Sequence, residues 1–236
     1  MLNFLRKKTK DNSHIELISV HIPKTAGTSF RNTLKSVYGE EAVIRLDIDM
    51  IGGRDRLRVN LEDYDDRILP KFARIVHGHF CPADLYDRFT MSRDTPIITW
   101  LRNPVDRVIS NYYYLAKRLA EELDEKGKGL NILSKMQRTL MEYARDDWNK
   151  NRISKFLQGV TLDQLAFVGI QEHYTEDLRA LAELLNWKEF PEFRHNTTPN
   201  KYEVSPEERA EIAALNELDV ALYKEATKLR NKRLGI

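Results

Sequence analysis

The sequence predicts an α/β fold, a single domain with a central parallel sheet flanked by helices. Two short runs at residues 17–22 and 97–101 are apolar or β-branched almost throughout, as strands buried on both faces of a parallel sheet are, and residues 75–79 read as a third short strand. Segments with helical periodicity and helix-start signals alternate with them, which implies right-handed crossovers. The chain has 236 residues, 42% hydrophobic and 31% charged, enough for one sizeable core.

Residues 1–14 read as a flexible, basic tail and 15–236 as the domain. The first strand, 17–22, stops at Pro23. A glycine-containing turn follows, and Thr28 or Ser29 is placed to cap a helix that runs to Tyr38 and ends at Gly39. Residues 45–60, with Gly52, Gly53, Arg54, Arg56 and Arg58, read as an irregular loop, solvated in the plainer reading and meeting an anionic glycan through its arginines in the other. The second and third strands are 75–79 and 97–101. Pro104 sits in the first turn of a long helix that reaches about Glu122. Gly127 and Gly129 break it, and helical periodicity resumes over 132–148 and 153–157. Residues 166–170 form a fourth strand, followed by a helix over 174–185. Residues 191–204 are a loop rich in Pro, Asn and Thr. Ser205-Pro206-Glu207-Glu208 is a capping box that opens a final helix to Leu229.

Charge narrows the function. With 38 Lys and Arg against 36 Asp and Glu, the net charge of +2 argues against a nucleic-acid binder. It leaves room for one basic pocket. The single cysteine, Cys81, allows no intrachain disulfide and fits a reducing, cytoplasmic compartment. No apolar run approaches the ~20 residues of a membrane span.

Three segments carry chemistry. His21-Ile22-Pro23-Lys24-Thr25-Ala26-Gly27-Thr28-Ser29-Phe30 runs from strand through a tight loop into a helix. Free N–H groups and the positive helix end favour an anion there. Gly27 lets backbone approach a ligand, Lys24 adds charge, and Thr28 and Ser29 add hydroxyls. The lysine precedes the glycine, so this is not the nucleoside-triphosphatase pattern. Taken alone, the loop is equally an ordinary capped strand–turn–helix. The second segment, Thr99 to Ser110, places Arg102 at a strand's carboxyl end and Ser110 two turns into the next helix. Together they suit one phosphate. Arg107 reads as a helix-surface charge, and Tyr112 to Tyr114 as residues that pack the helix on the sheet or, for one of them, contact the acceptor. The third segment is Ile75-Val76-His77-Gly78-His79-Phe80. Period-two geometry puts both histidines on one face, and histidine suits proton transfer near neutral pH. Alternation of His77, His79 and Cys81 also raises a metal site, but without a fourth ligand or zinc spacing.

Lys24 to Ser29 resembles the 5'-phosphosulfate loop of sulfotransferases that use 3'-phosphoadenosine 5'-phosphosulfate (PAPS). The stretch from His21 to Phe30 is most similar to the carbohydrate branch, sulfotransferase family 2, which includes the heparan sulfate 2-O-sulfotransferases. The Arg-Asn-Pro start and the spacing of Arg102 to Ser110 resemble that family's 3'-phosphate motif, and His-Gly-His resembles its base. The resemblance implies a P-loop-like sulfotransferase fold, PAPS as donor and no metal. It also implies a hydroxylated acceptor such as a glycan or glycolipid. By the same resemblance Lys24, Thr25, Ala26, Gly27, Thr28 and Ser29 hold the phosphosulfate, and Lys24 also takes part in catalysis. Arg102 and Ser110 hold the 3'-phosphate, His79 is the base and His77 assists it. Phe167 to Tyr174 resembles a late strand and turn of the carbohydrate sulfotransferases; Glu172 and His173 there either face the pocket or start the following helix. The loop from His195 to Lys201 resembles one that closes over the nucleotide through Asn196, Thr198 and Lys201. Two other classes stay open: a nucleotide kinase, which needs magnesium ligands and a Walker lysine, and a non-catalytic nucleotide-binding module, which has no use for paired histidines.

Overall fold

The computed structural model describes residues 11–49, 56–124, 138–193 and 203–236. Seven strands form one sheet in the order β4-β3-β2-β5-β1-β6-β7. They are β1 (Leu17–Val20), β2 (Val43–Asp49), β3 (Arg56–Val59), β4 (Glu62–Asp63), β5 (Ile75–His79), β6 (Ile97–Leu101) and β7 (Phe167–Ile170). The five strands from β2 to β7 in that order run parallel. Strands β3 and β4 pair antiparallel at one edge. The helices are α1 (Gly27–Tyr38), α2 (Pro82–Arg88), α3 (Pro104–Asp124), α4 (Leu140–Arg145), α5 (Arg152–Phe156), α6 (Tyr174–Leu184), α7 (Pro206–Leu215) and α8 (Glu217–Leu234).

The sheet is buried on both faces, as its apolar strands require. One core gathers Ile18, Val20, Ile44, Leu46, Val76, Leu101 and Ile170, and the other Leu17, Phe30, Val43, Ile75, Ile98, Trp100 and Phe167. Odd and even positions along each strand thus feed opposite cores. Because the five strands are parallel, the segments that leave their carboxyl ends gather at one edge. Strand β1 lies between β5 and β6, so the order reverses beside it, where open α/β sheets form their ligand crevice.

Several expectations change. The segment read as an irregular loop over 45–60 is largely strand β2 and strand β3, joined through residues outside the described set. Ile44, Leu46 and Ile48 alternate with Arg45 and Asp47, which is the period of a strand. The central parallel sheet is as expected, and it carries an antiparallel pair of strands at one edge. Helix α2 was not foreseen. Cys81 caps it, accepting from the Asp84 N–H at 3.5 Å while its thiol donates to Asp84 Oδ2 at 3.0 Å. That engagement removes Cys81 from the alternating His77–His79 pair. The single final helix is two, α7 and α8, parted at Asn216. Within the segment read as tail, residue 12 is fastened to the domain. Asn12 is 1% exposed, and its side chain bonds Arg67 O, Thr90 O and the Leu69 N–H. Arg107 is 1% exposed, so it is no helix-surface charge. Among the described residues, no helix is long and apolar enough to cross a membrane.

Helix α8 is fastened beside the end of β7 by a buried carboxylate. Asp177 accepts from the Ile170 N–H at 2.7 Å, from Arg230 Nε at 2.8 Å and from Arg233 Nη2 at 3.2 Å. Asp177 is 0% and Arg230 2% exposed. Asp177→Ala would leave the buried Arg230 with Glu176 as its remaining carboxylate and strand a buried N–H. It is expected to cost about 3–5 kcal/mol of unfolding free energy, read by urea titration.

Candidate active site

The loop leaving β1 has two non-glycine residues in the left-handed region, Lys24 (φ 71°) and Ala26 (φ 66°). Such a backbone carries strain, which clusters at ligand-binding sites. Helix α1 begins at Gly27 with Ala26 as its N-cap, without a side-chain cap or an acidic residue in its first turn. The expectation that Thr28 or Ser29 caps the helix is therefore corrected. Both lie within the first turn and line the adjoining cavity. Thr25 turns the other way. Its hydroxyl is buried and donates to Ile22 O at 2.8 Å, so its side chain holds the loop's shape.

Gly27 serves a purpose the sequence did not show. A Cβ there would lie 1.9 Å from His21 Nε2, so the glycine makes room for an imidazole ring.

A cavity of about 380 Å³ opens over this loop, and it brings the predicted groups together. Lys24, Ala26, Gly27, Thr28 and Ser29 line it from the loop, Arg102 and Ser110 from β6 and α3, and His77 and His79 from β5. Arg31, Arg45, Arg118 and Tyr114 also face it, and no Asp or Glu is among its described lining residues. A second cavity of about 530 Å³ shares Ala26, Ser29 and Gln171 with the first and extends past Tyr174, Arg179 and Phe193. Asn196, Thr198 and Lys201 lie outside the described residues, as does Arg54.

Arg102 Nη1 donates to Lys24 O at 3.4 Å, tying the two anion motifs together. Among the described residues it pairs with no carboxylate, and burial lowers its pKa, opposed by Asp106 and Glu172. Lys24 Nζ lies 4.0 Å above the Tyr114 ring centroid. Burial and then the charge of Arg102 lower its pKa. Two half-buried cations beside each other, with their carboxylates withheld, are what an anionic ligand stabilises. Tyr112 and Tyr113 pack in a helical cluster with Val105, Ile109 and Leu140, away from the sheet; Tyr114 instead joins the site.

Glu172 is not a free pocket acid. Its Oε1 accepts from the Asn103 N–H at 2.8 Å, and its Oε2 from Tyr223 at 3.2 Å. Asn103 Oδ1 in turn accepts from the N–H groups of Val105 and Asp106 at the start of α3. Glu172 thus fixes the corner that carries Arg102. His173 sits on the exposed side, 3.7 Å from Glu176.

The histidines form a group of three. His79 Nδ1 lies 2.7 Å from His21 O and His77 Nδ1 lies 2.9 Å from Ser19 Oγ. Burial pushes all three pKa values down, His77 to about 3. Asp47, whose Oδ1 accepts from the His79 N–H at 3.3 Å, opposes the shift at His79. Neutral buried imidazoles make the fold acid-sensitive. Their folded pKa values lie below the ordinary 6.5, so their contribution to stability is complete above about pH 6.5. It is lost as pH falls toward 3 for His77, because the unfolded chain binds the protons first. His77→Gln is expected to flatten the pH dependence of the melting temperature between pH 6.5 and 4.

Sequence reading missed His21, Arg31 and Arg45 as site residues, and of the three tyrosines it is Tyr114 that lines the cavity. His21 lies on strand β1's own period-two track from Ser19, whose partner in β5 is His77.

A family model described as the sulfotransferase family matches residues 8–224. Among solved structures, a sulfotransferase from Alicyclobacillus acidocaldarius is 16% identical, with a TM-score of 0.44, over 90% of this chain and 96% of that one. The mouse sulfotransferase SULT7A1 complexed with PAP is 13% identical, with a TM-score of 0.41, over 86% of this chain and 64% of that one. No curated protein sequence matches.

Proposed function

Because the chain belongs to the sulfotransferase family, we propose that it moves a sulfuryl group from PAPS to a hydroxyl of a carbohydrate or glycolipid acceptor, with His79 as base. The observation that carries this reading is the cavity itself, in which two anion motifs and a histidine pair meet without a carboxylate. The donor presents two separate anionic groups, and the residues present suit both. The α1 N-terminus with Lys24 suits the 5'-phosphosulfate. Arg102 and Ser110 suit the 3'-phosphate.

With its Nδ1–H donated to His21 O, His79 exposes the Nε2 lone pair to an acceptor hydroxyl. As the acceptor oxygen bonds to sulfur, Nε2 takes its proton. The sulfur–oxygen bond to the 5'-phosphate breaks, and that oxygen leaves as part of adenosine 3',5'-bisphosphate. Lys24 and the loop N–H groups stabilise the negative charge that grows there. Asn196, Thr198 and Lys201 complete the nucleotide site in this reading. Carbohydrate as acceptor rests on the resemblance of the His21–Phe30 and His77–His79 stretches.

Calorimetry tests the donor site directly. Adenosine 3',5'-bisphosphate is expected to bind without added metal, and adenosine 5'-monophosphate much more weakly. Arg102→Ala is expected to remove most of that discrimination. Equal affinity for the two nucleotides in the native protein would sink the assignment of Arg102 and Ser110. Radiolabelled PAPS offered to glycan and lipid extracts then identifies the acceptor class.

A further inference from the structure

We propose that His21 is a positioning residue that orients the His79 ring and links that orientation to the donor loop; this rests on the reading of His79 as base. The His21 ring stacks on His79 with centroids 4.3 Å apart and planes 28° apart, and on His77 at 5.0 Å and 21°. Its own carbonyl takes the His79 Nδ1–H at 2.7 Å. One residue therefore fixes His79 twice. The carbonyl selects the tautomer that leaves Nε2 open, and the ring sets the plane in which Nε2 points. Its backbone is fixed in turn, since the His21 N–H donates to Gly78 O at 2.8 Å.

The other side of the His21 ring meets the donor loop. Only the absent Cβ of Gly27 lets the ring sit there, with Nε2, Cδ2 and Cε1 all within 2.4 Å of where that Cβ would be. Gly27 is also the first residue of α1, whose N–H groups form the phosphosulfate site. A shift of the loop when the donor enters or leaves is therefore felt at His21, and through it at the base. His21 also stays uncharged, since burial holds its imidazole well below the usual range. The charged groups facing the three rings are Arg31 from α1, Arg45 and Asp47 from β2, and Arg152 from α5.

The test separates orientation from folding and from the base assignment. His21→Ala is expected to lower kcat on the order of tenfold to a hundredfold, as for a misplaced reacting group. Affinity for adenosine 3',5'-bisphosphate should stay within about twofold, since this residue adds no charge to the phosphate sites. Nitrogen-15 shifts of His79 should report the Nδ1–H tautomer in the native protein and in His21→Ala alike, because the carbonyl of residue 21 remains. The His79 ring itself should reorient, read as altered nuclear Overhauser contacts to the Phe156 ring, whose centroid lies 6.2 Å away in the native protein. His21→Asn keeps a flat amide inside the outline of the imidazole and should recover part of both kcat and ring orientation. Gly27→Ala, which pushes the His21 ring away, should show the same reorientation. Native kcat together with an unchanged His79 ring orientation in His21→Ala would overturn the proposal. So would an His21→Asn variant as impaired as His21→Ala, because a role specific to imidazole would then replace positioning. Failure of the base reading looks different: His79→Ala would keep its rate, whatever His21→Ala does.

Discussion

Replacing His79 with alanine is expected to lower turnover by about 10²–10⁴-fold, the usual worth of a general base. An alcohol hydroxyl is a poor nucleophile, and its proton must leave as the new oxygen–sulfur bond forms. His79 is neutral near pH 7 because burial lowers its pKa, so its Nε2 is ready without first losing a proton. The same lowering sets the pH profile. The rate should persist below pH 6.5 and fall only as acid protonates the ring. The variant should still bind adenosine 3',5'-bisphosphate normally, since the phosphate motifs belong to other elements. His77→Ala should cost less in rate. Its Nδ1 is engaged with Ser19, it is 2% exposed, and its pKa of about 3 leaves it little appetite for a proton. Single-turnover kinetics with a labelled donor decides the ranking. An inactive His77→Ala beside a near-normal His79→Ala would transfer the base role to His77.

Much of this site was legible because short sequence motifs sit where parallel strands end. The Lys24–Ser29 loop and the Arg102 corner each follow an apolar strand, the His77–His79 pair ends β5, and parallel topology gathers them. What was hidden depended on long-range pairing. Arg45 reaches the cavity only because β2 pairs with β5, placing Arg45 opposite His77 and Asp47 opposite His79. The alternation of Ile44, Leu46 and Ile48 signalled that strand, but Gly52 and Gly53 drew the reading toward a loop. The glycine at position 27 was recognised, yet its reason is tertiary: the obstacle to a side chain is His21, six residues earlier. Glu172 likewise has the composition of a catalytic acid, and only its bonds to Asn103 and Tyr223 show a structural task. The split of the last helix at Asn216 was equally hard to foresee. Asn216 is 0% exposed; its side chain donates to Ile212 O and accepts from the Asn151 N–H, a bond across 65 residues.

Lys24→Ala should lower turnover by about 10²–10³-fold, as loss of a transition-state charge partner does, and weaken adenosine 3',5'-bisphosphate binding much less. The difference follows from where charge moves. In the ground state the bridging oxygen between phosphorus and sulfur carries little charge, whereas in the transition state it becomes the anionic end of the leaving phosphate. A cation there stabilises the transition state more than the bound donor, and only that surplus accelerates the step. The structure supports such use of Lys24. Its backbone is held in the left-handed region and its carbonyl is bound by Arg102, while its amine rests over Tyr114. The amine is thus held near the loop rather than free in solvent. Lys24→Arg should not restore the rate, because a planar fork on a longer stem does not replace a compact charge at one oxygen. Steady-state kinetics, read as kcat against the dissociation constant of the desulfated product, checks the split. If Lys24→Ala loses binding and turnover in equal measure, Lys24 only anchors the nucleotide. If kcat is unchanged, the leaving oxygen takes its stabilisation from the α1 N–H groups alone.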